Sequence, residues 1–145
     1  MAVHNETRIL PYTPEQVFEL VADVERYPQF LPWCVACRIT KRLDDGFEAD
    51  LAIGFKMVRE KFSSRVTLNR PDKIVVGYKD GPFSYLSNTW NFKPGPDGKG
   101  TQVDFHLEFE FRSRMLQSII GVLFEEAVRR MVGAFEARAK ELYGS

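Results

Sequence analysis

Two cysteines stand three residues apart in the sequence, a spacing that occurs in zinc sites and in thiol–disulfide motifs. They are Cys34 and Cys37, and neither His4 nor His106 has the paired spacing that would complete a zinc site. Residues 38–40 favour a strand, whereas a thioredoxin-like motif needs a helix after its first cysteine. Because side chains three apart on an extended segment point to opposite faces, we expect the two thiols to diverge and to serve packing, with no metal site.

Three polar residues that are suited to acid–base chemistry alternate along one predicted strand: Asp104, His106 and Glu108. The residues between them form a phenylalanine-rich face that should be buried. This alternation is typical of a strand with one solvated face, so we interpret the three as a solvent-facing ladder. The sequence also lacks a phosphate-binding glycine loop, a metalloprotease motif and a nucleophile elbow, and we predict no catalytic residue.

Glu60 is a further candidate, because its parity matches that of the apolar residues Val58 and Phe62. A carboxylate on an apolar face would have its pKa raised by desolvation and could act as a base or hold a polar head group. An irregular corner of the sheet near Gly54 would instead turn Glu60 outward. The residue pattern leaves both alternatives open.

The segment before residue 30 predicts a weak strand followed by a helix. Thr13, Pro14 and Gln16 give the helix a threonine cap, a proline at its first position and a capping box. The apolar stripe that follows consists of Val17, Leu20, Val21 and Val24. Pro28 ends or kinks this helix.

After Trp33 the apolar pattern changes to the two-residue period of strands, which predicts an antiparallel meander with short turns. The clearest strand is residues 103–111. A final helix of about 28 residues begins after the cap residue Ser113. Its apolar stripe consists of Leu116, Ile120, Leu123, Phe124, Ala127, Met131 and Phe135. This order of elements predicts an α+β fold in one domain, residues 1–145.

The composition is that of a globular chain, with 44% hydrophobic residues, and it excludes a disordered or fibrous protein. Lysine plus arginine equals aspartate plus glutamate at 20 each, which argues against a DNA-binding protein with a large basic excess. The most apolar stretch, residues 119–124, is far shorter than the roughly 20 residues that span a bilayer. The first residues do not resemble a secretory signal. We therefore expect a soluble cytoplasmic protein.

Three segments resemble the coenzyme Q-binding START family, within the START and polyketide cyclase superfamily. Residues 23–34 (DVERYPQFLPWC) resemble its DVE-x-YP-x-FLPWC signature. Residues 80–92 resemble its DGPF…L…W.F block, and residues 105–111 resemble its FHLEFEF strand. The resemblance implies a helix-grip fold, in which a curved antiparallel sheet wraps around a long C-terminal helix and leaves a hydrophobic cavity.

Members of this family are associated with two activities. Mitochondrial relatives bind coenzyme Q and support respiration, whereas some bacterial relatives are ribosome association toxins. The resemblance therefore implies nonenzymatic binding of ubiquinone, held as a ligand and not as a catalytic cofactor, with peripheral contact with the inner membrane. The alternatives are an inhibitor that acts on the ribosome and a cyclase or dehydratase that uses the same cavity. The enzyme ranks last, because the sequence supplies few inward-facing polar residues.

A curved sheet and a straight helix cannot touch along their whole length, so we expect a hollow of ordinary ligand size, about 300–1,000 Å³. Large side chains that strand parity turns inward should line this hollow, and the segment around Trp33 should close one end. The predicted ligand-binding residues are Leu31, Trp33, Leu51, Ile53, Phe55, Phe62, Trp90, Phe92, Phe109, Phe124, Met131 and Phe135.

Overall fold

The computed structural model describes residues 2–55 and 58–144, and the described residues form seven strands, two α-helices and one 3₁₀ helix. The strands are β1 (Ala2–Leu10), β2 (Cys34–Leu43), β3 (Gly46–Phe55), β4 (Val58–Asn69), β5 (Lys73–Asp80), β6 (Phe83–Pro94) and β7 (Thr101–Phe111). The helices are α1 (Pro14–Ala22), the 3₁₀ helix (Val24–Gln29) and α2 (Arg114–Tyr143).

The strands form one antiparallel sheet in the order β1-β7-β6-β5-β4-β3-β2. Strands β2 to β7 pair in sequence order, and β1 pairs with β7, where Glu6 lies opposite Phe105. The curved sheet wraps around α2. The buried residues of α2 are Ile120, Val128, Met131, Phe135 and Ala139. The predicted α+β, helix-grip architecture is confirmed.

Alternation along the strands sets which side chains face α2. On β7 the side chains of Val103, Phe105 and Phe109 are buried, while Asp104 and His106, which alternate with them, are half-exposed. Apolar side chains on one face and polar side chains on the other give the sheet one dry and one wet surface. The dry surface lines the cavities between the sheet and α2.

Both α-helices begin at the caps that the sequence predicts. Thr13 Oγ1 accepts a hydrogen bond from the Gln16 N–H at 3.1 Å, and Gln16 Oε1 accepts one from the Thr13 N–H at 2.9 Å. Ser113 Oγ likewise accepts from the Leu116 N–H at 3.2 Å. These bonds satisfy N–H groups that have no partner within the first helical turn, so both start points are decided locally.

The apolar core has two parts. The larger part joins α1, the centre of the sheet and the second half of α2, and it includes Phe18 and Phe135. The smaller part lies at the start of α2, around Phe83, Phe109 and Ile120. Cavities remain where these two parts meet the concave face of the sheet.

Candidate functional site

A cavity of about 150 Å³, called here the front lobe, lies between the sheet and the first half of α2. Phe109 meets Phe83 with ring centroids 5.7 Å apart and meets Phe124 of α2 at 5.3 Å, both edge-to-face. The residues that line the front lobe, and not the second lobe described next, are Ile53, Val58, Phe83, Phe109, Phe111, Ile120, Phe124, Ala127 and Val128. The front lobe is therefore an aromatic and aliphatic pocket.

A second cavity of about 140 Å³, called here the rear lobe, lies deeper under the 3₁₀ helix and the second half of α2. Trp90 stands on its wall, with its ring centroid 4.7 Å from that of Phe105 and 5.2 Å from that of Phe135. The residues that line the rear lobe and not the front lobe are Val21, Val24, Tyr27, Leu31, Ala49, Leu51, Ser64, Val66, Ile74, Val76, Asn88, Trp90, Phe105 and Phe135.

The two lobes adjoin, because five side chains belong to the walls of both. They are Trp33, Phe62, Leu86, Leu107 and Met131, which we call the waist. Each lobe is well below the expected size of about 300–1,000 Å³, so the prediction of one cavity of ordinary ligand size is wrong for this structure. The physical reason is the bulk of the waist side chains, which occupy the middle of the hollow and divide it.

Ten of the predicted ligand-binding residues lie on these walls. Ile53, Phe109 and Phe124 line the front lobe. Leu31, Leu51, Trp90 and Phe135 line the rear lobe. Trp33, Phe62 and Met131 stand at the waist. The structure brings together residues from the segment before β2, four strands and α2 that are far apart in the chain.

The other two predicted residues differ. Phe92 faces the concave side but lines neither lobe, because α1 covers this end of the sheet. Its side chain is 2% exposed and packs edge-to-face against Phe18 of α1, with the ring centroids 5.8 Å apart. Phe92 is therefore packed core in this structure. The side chain of Phe55 lies outside the described part of the chain.

Several wall residues are absent from the predicted set. Phe105, Leu107 and Phe111 share the inward parity of Phe109 on β7, so that alternation could have identified them. Phe83 begins β6 and contacts Phe62 at 5.2 Å between ring centroids. The position of Phe83 follows from the pairing of distant strands, for which the sequence carries no local signal.

Both lobes are almost entirely apolar. Within residues 2–55 and 58–144, neither wall includes a charged side chain. The Tyr27 hydroxyl of the rear lobe donates to the Val21 carbonyl oxygen, and burial raises the pKa of Tyr27 well above its ordinary value. Tyr27 therefore remains an un-ionised phenol at physiological pH. The chemistry of these walls suits noncovalent contact with an uncharged molecule.

The two cysteine thiols lie on the same face of β2, which corrects the expectation that they diverge. Cys34 is opposite Ile53 of β3. Cys37 is opposite Leu51 of the same strand, and both partners face the concave side. A register shift between Cys34 and Ala36 produces this arrangement, because one extra residue in a bulge restores the shared parity. Burial raises the pKa of Cys34 to about 11 and that of Cys37 to about 12, so both stay protonated at neutral pH.

The polar candidates lie outside the cavity. On the wet face of β7, Asp104 accepts a hydrogen bond from the Thr7 hydroxyl at 2.8 Å, which lowers the pKa of Asp104. His106 Nε2 lies 2.9 Å from Glu108 Oε2 on the same face, and the predicted solvent-facing ladder is confirmed. Glu60 is half-buried and pairs with Ile53, but it lines neither lobe.

A larger cavity of about 720 Å³ lies on the outside, between α1, the 3₁₀ helix and the β2–β3 turn. Its walls carry charges of both signs, including Arg26, which contacts Asp23 at 2.8 Å, and Arg70, which bonds to Glu19. The groove is polar and its ion pairs are exposed, so it offers little to an apolar ligand despite its size. We place the candidate site in the two lobes.

No group of three or more histidine, cysteine, aspartate or glutamate side chains in residues 2–55 and 58–144 is placed to hold a metal ion. Among the described helices, none has the length and apolar content needed to cross a membrane.

A curved antiparallel sheet closed over one long helix, with an apolar cavity between them, defines a helix-grip protein of the START and polyketide cyclase type. Residues 10–136 match the family described as polyketide cyclase / dehydrase and lipid transport. The chain belongs to this family. The resemblance that the three sequence segments carry is thereby confirmed at the level of the superfamily.

Two curated proteins illustrate the relatives of this chain. Ribosome association toxin RatA of Rickettsia prowazekii is 40% identical over 146 residues, which cover 98% of this chain and 99% of the toxin. The mitochondrial coenzyme Q-binding protein COQ10 homolog B of Xenopus laevis is 33% identical over 144 residues, which cover 97% of this chain and 59% of that protein. The resemblance implies two kinds of relative, ribosome association toxins and coenzyme Q-binding proteins, and both are found.

Solved structures agree on the fold. An 18 kDa protein from Caulobacter crescentus, determined in solution, is 39% identical and superposes with a TM-score of 0.81 over the whole of both chains. An aromatase/cyclase from a Streptomyces species superposes equally well, with a TM-score of 0.81 over 96% of this chain and 93% of its own, at 17% identity. At that identity the second likeness concerns the fold alone.

Proposed function

We propose that this protein is a nonenzymatic carrier that holds ubiquinone in the two lobes and supports respiratory electron transport. The observation that carries the proposal is the chemistry of the walls, which bear no charged side chain among the described residues. Such walls favour an uncharged ligand, because a charge placed there would lose its hydration without gaining a counter-ion. An isoprenoid quinone is uncharged and consists mostly of hydrocarbon.

Burial of hydrocarbon provides the affinity in this proposal. Each CH₂ group that leaves water contributes about 0.8 kcal/mol, so one isoprenoid unit contributes about 3–4 kcal/mol before the cost of ordering the ligand. The aromatic rings around Phe109 and Trp90 offer flat apolar surfaces for a quinone ring. No covalent chemistry is required of the protein.

The ligand must displace the waist to occupy both lobes. Met131 is suited to such a rearrangement, because its unbranched side chain has three rotatable bonds and fills irregular gaps. The quinone ring and the first part of the tail would then fill the lobes. The rest of the tail would leave beside the start of α2, where Met115 is exposed, towards a membrane surface or a partner.

The same walls favour binding over catalysis. A cyclase needs polar groups that converge on its substrate, and general acid–base work needs a titratable group within hydrogen-bond reach of the reacting atom. The described polar side chains of the rear lobe are those of Tyr27, Ser64, Asn88 and the two tryptophans. We therefore propose no catalytic residue and no resident cofactor, with ubiquinone as the cargo.

A ribosome-directed function is the second candidate. It is favoured by the 40% identity to a ribosome association toxin over nearly the whole of both chains. Such a function would use the outer surface and would not depend on the content of the lobes. Sedimentation of ribosomes from cells that overproduce the protein tests it, because an inhibitor of subunit joining increases free subunits at the expense of whole ribosomes.

Organic extraction of the purified protein, followed by mass spectrometry, tests the first candidate. After expression in a host that makes ubiquinone, we expect the parent protein to carry the quinone and a Phe124→Asp variant to carry much less. A Val122→Asp variant is the matched control, because Val122 is 84% exposed on the same helix. Absence of any quinone from the parent, together with free ribosomal subunits on overproduction, would replace the first candidate with the second.

A further inference from the structure

Among the described residues, one buried polar side-chain atom of the rear lobe has no hydrogen-bond partner. The side chain of Ser64 on β4 is 1% exposed, and within the described ranges its Oγ forms no hydrogen bond. Buried hydroxyl groups in proteins are nearly always hydrogen-bonded, since an unpaired one loses its interaction with water for no return. Ser64 lines the rear lobe, so the missing partner can come from the content of that lobe.

Tyr27, Asn88 and Trp90, which also line the rear lobe, form hydrogen bonds with other groups of the protein. The Tyr27 hydroxyl donates to the Val21 carbonyl. Asn88 Nδ2 donates to the His106 carbonyl oxygen at 2.8 Å, and Asn88 Oδ1 accepts from Trp90 Nε1 at 3.1 Å. These bonds hold the Trp90 ring on the wall. Ser64 therefore differs from these neighbours, because its hydroxyl has no hydrogen-bond partner among the described protein groups.

Local strand geometry explains where the Ser64 side chain points. Ser64 lies opposite Ala49 of β3, whose small side chain leaves the space beside the hydroxyl open. On its other side Ser64 lies opposite Tyr78, and a register shift of β5 falls between the Ser63 and Ser64 pairs. The extra residue of this shift lies on β5, so the alternation of β4 is unbroken and Ser64 shares the inward parity of Phe62 and Val66. The adjacent Ser63 is turned the other way and donates to Asp50 Oδ1 at 2.6 Å.

We propose that the Ser64 hydroxyl donates a hydrogen bond to an oxygen atom of the bound ligand. The ligand is then an apolar molecule with an oxygen-bearing head, such as the carbonyl of a quinone, that lies in the rear lobe. Its hydrocarbon tail passes the waist and the front lobe and leaves beside the start of α2. This inference rests on the proposed function and adds to it the orientation of the ligand and the group that recognises its head.

The experiment compares two probes on three proteins. The probes are decylubiquinone and decylbenzene, which share an apolar tail but differ in the oxygens of the ring. The proteins are the parent, Ser64→Ala, and Ser63→Ala as the matched control on the opposite face of the same strand. Quenching of tryptophan fluorescence reports quinone binding, because Trp90 lines the rear lobe, and competition with the quinone reports decylbenzene binding.

We expect Ser64→Ala to weaken decylubiquinone binding about 3- to 10-fold, the usual effect of losing one neutral hydrogen bond. Decylbenzene binding should change less than twofold, and Ser63→Ala should leave both affinities unchanged. The unliganded Ser64→Ala protein should melt at the same temperature as the parent or higher, because the substitution removes an unpaired buried hydroxyl.

Two kinds of failure are distinguishable. If the parent binds decylubiquinone and Ser64→Ala binds it equally well, the assignment of Ser64 is wrong while the carrier function stands. An equal loss of affinity for both probes would also overturn it, because that pattern indicates a change in packing. If the parent binds neither probe, the proposed function fails and the assignment of Ser64 fails with it.

Discussion

The ring of Phe109 on β7 meets the ring of Phe124 on α2 edge-to-face, with centroids 5.3 Å apart and an angle of 72° between the planes. This contact joins the sheet to the long helix across the front lobe, and both rings are part of its wall. The same pair therefore contributes to the grip on α2 and to the surface that a ligand would touch.

Introducing a charge at this contact should abolish most ligand binding. We expect Phe109→Asp and Phe124→Asp each to weaken ubiquinone binding at least tenfold, because the carboxylate must be desolvated or must draw water into the lobe. Fluorescence titration measures the affinity, and circular dichroism selects variants that remain folded. Val122→Asp serves as the exposed control. Unchanged affinity in both cavity variants would show that the ligand binds outside the front lobe.

Met131 should contribute to the stability of the fold as well as to the wall between the two lobes. Replacement by aspartate buries an unpaired carboxylate between α2 and the sheet. This should lower the free energy of unfolding by about 3–5 kcal/mol. Arg129→Asp, at an exposed position two residues away, should stay within about 0.5 kcal/mol of the parent. Urea denaturation compares the three proteins. A Met131→Asp variant as stable as the parent would contradict the grip of the sheet on α2.

The raised thiol pKa values predict a loss of stability at high pH. In the unfolded chain the thiols ionise at their ordinary pKa of about 9, whereas in the folded protein Cys34 ionises at about 11 and Cys37 at about 12. Between these values the unfolded chain has released protons that the folded protein retains, so the free energy of unfolding falls as pH rises. Below pH 9 this contribution is fully present.

The double variant Cys34→Ala, Cys37→Ala isolates that contribution. Its stability should fall less than that of the parent between about pH 9 and pH 12, measured by denaturation at fixed temperature. At neutral pH the variant should lose only modest packing energy and should bind ligand within a few-fold of the parent. Stoichiometric zinc in the parent that disappears in the variant would contradict the packing role of these cysteines.

The capping box of α1 gives a prediction that is independent of the ligand. Thr13→Ala removes the acceptor for the Gln16 N–H and should cost about 1 kcal/mol in the free energy of unfolding. Thr13→Ser keeps a side-chain oxygen at the same position and should retain most of that stability. Equal stability of all three proteins would show that the box contributes nothing measurable to α1.

Much of the fold and part of the site follow from signals carried by short stretches of sequence. The Thr13–Gln16 capping box and the Ser113 cap depend on residues three apart in the chain, so the pattern alone locates the helix starts. The inward faces of β3, β4 and β7 follow from alternation, which is a property of any extended backbone. For that reason Phe62 and Phe109 were predictable as wall residues.

Other features depend on contacts between segments that are distant in the chain. The bulge after Cys34 brings both thiols to one face of β2. Helix α1 packs over Phe92, so Phe92 does not line the cavity. The division of the hollow at Met131 and the unpartnered hydroxyl of Ser64 arise only when the sheet closes around α2. Periodicity specifies which way a side chain points along its own strand or helix. It carries no information about which other element will meet that side chain, and this is why the shape of the cavity required the tertiary structure.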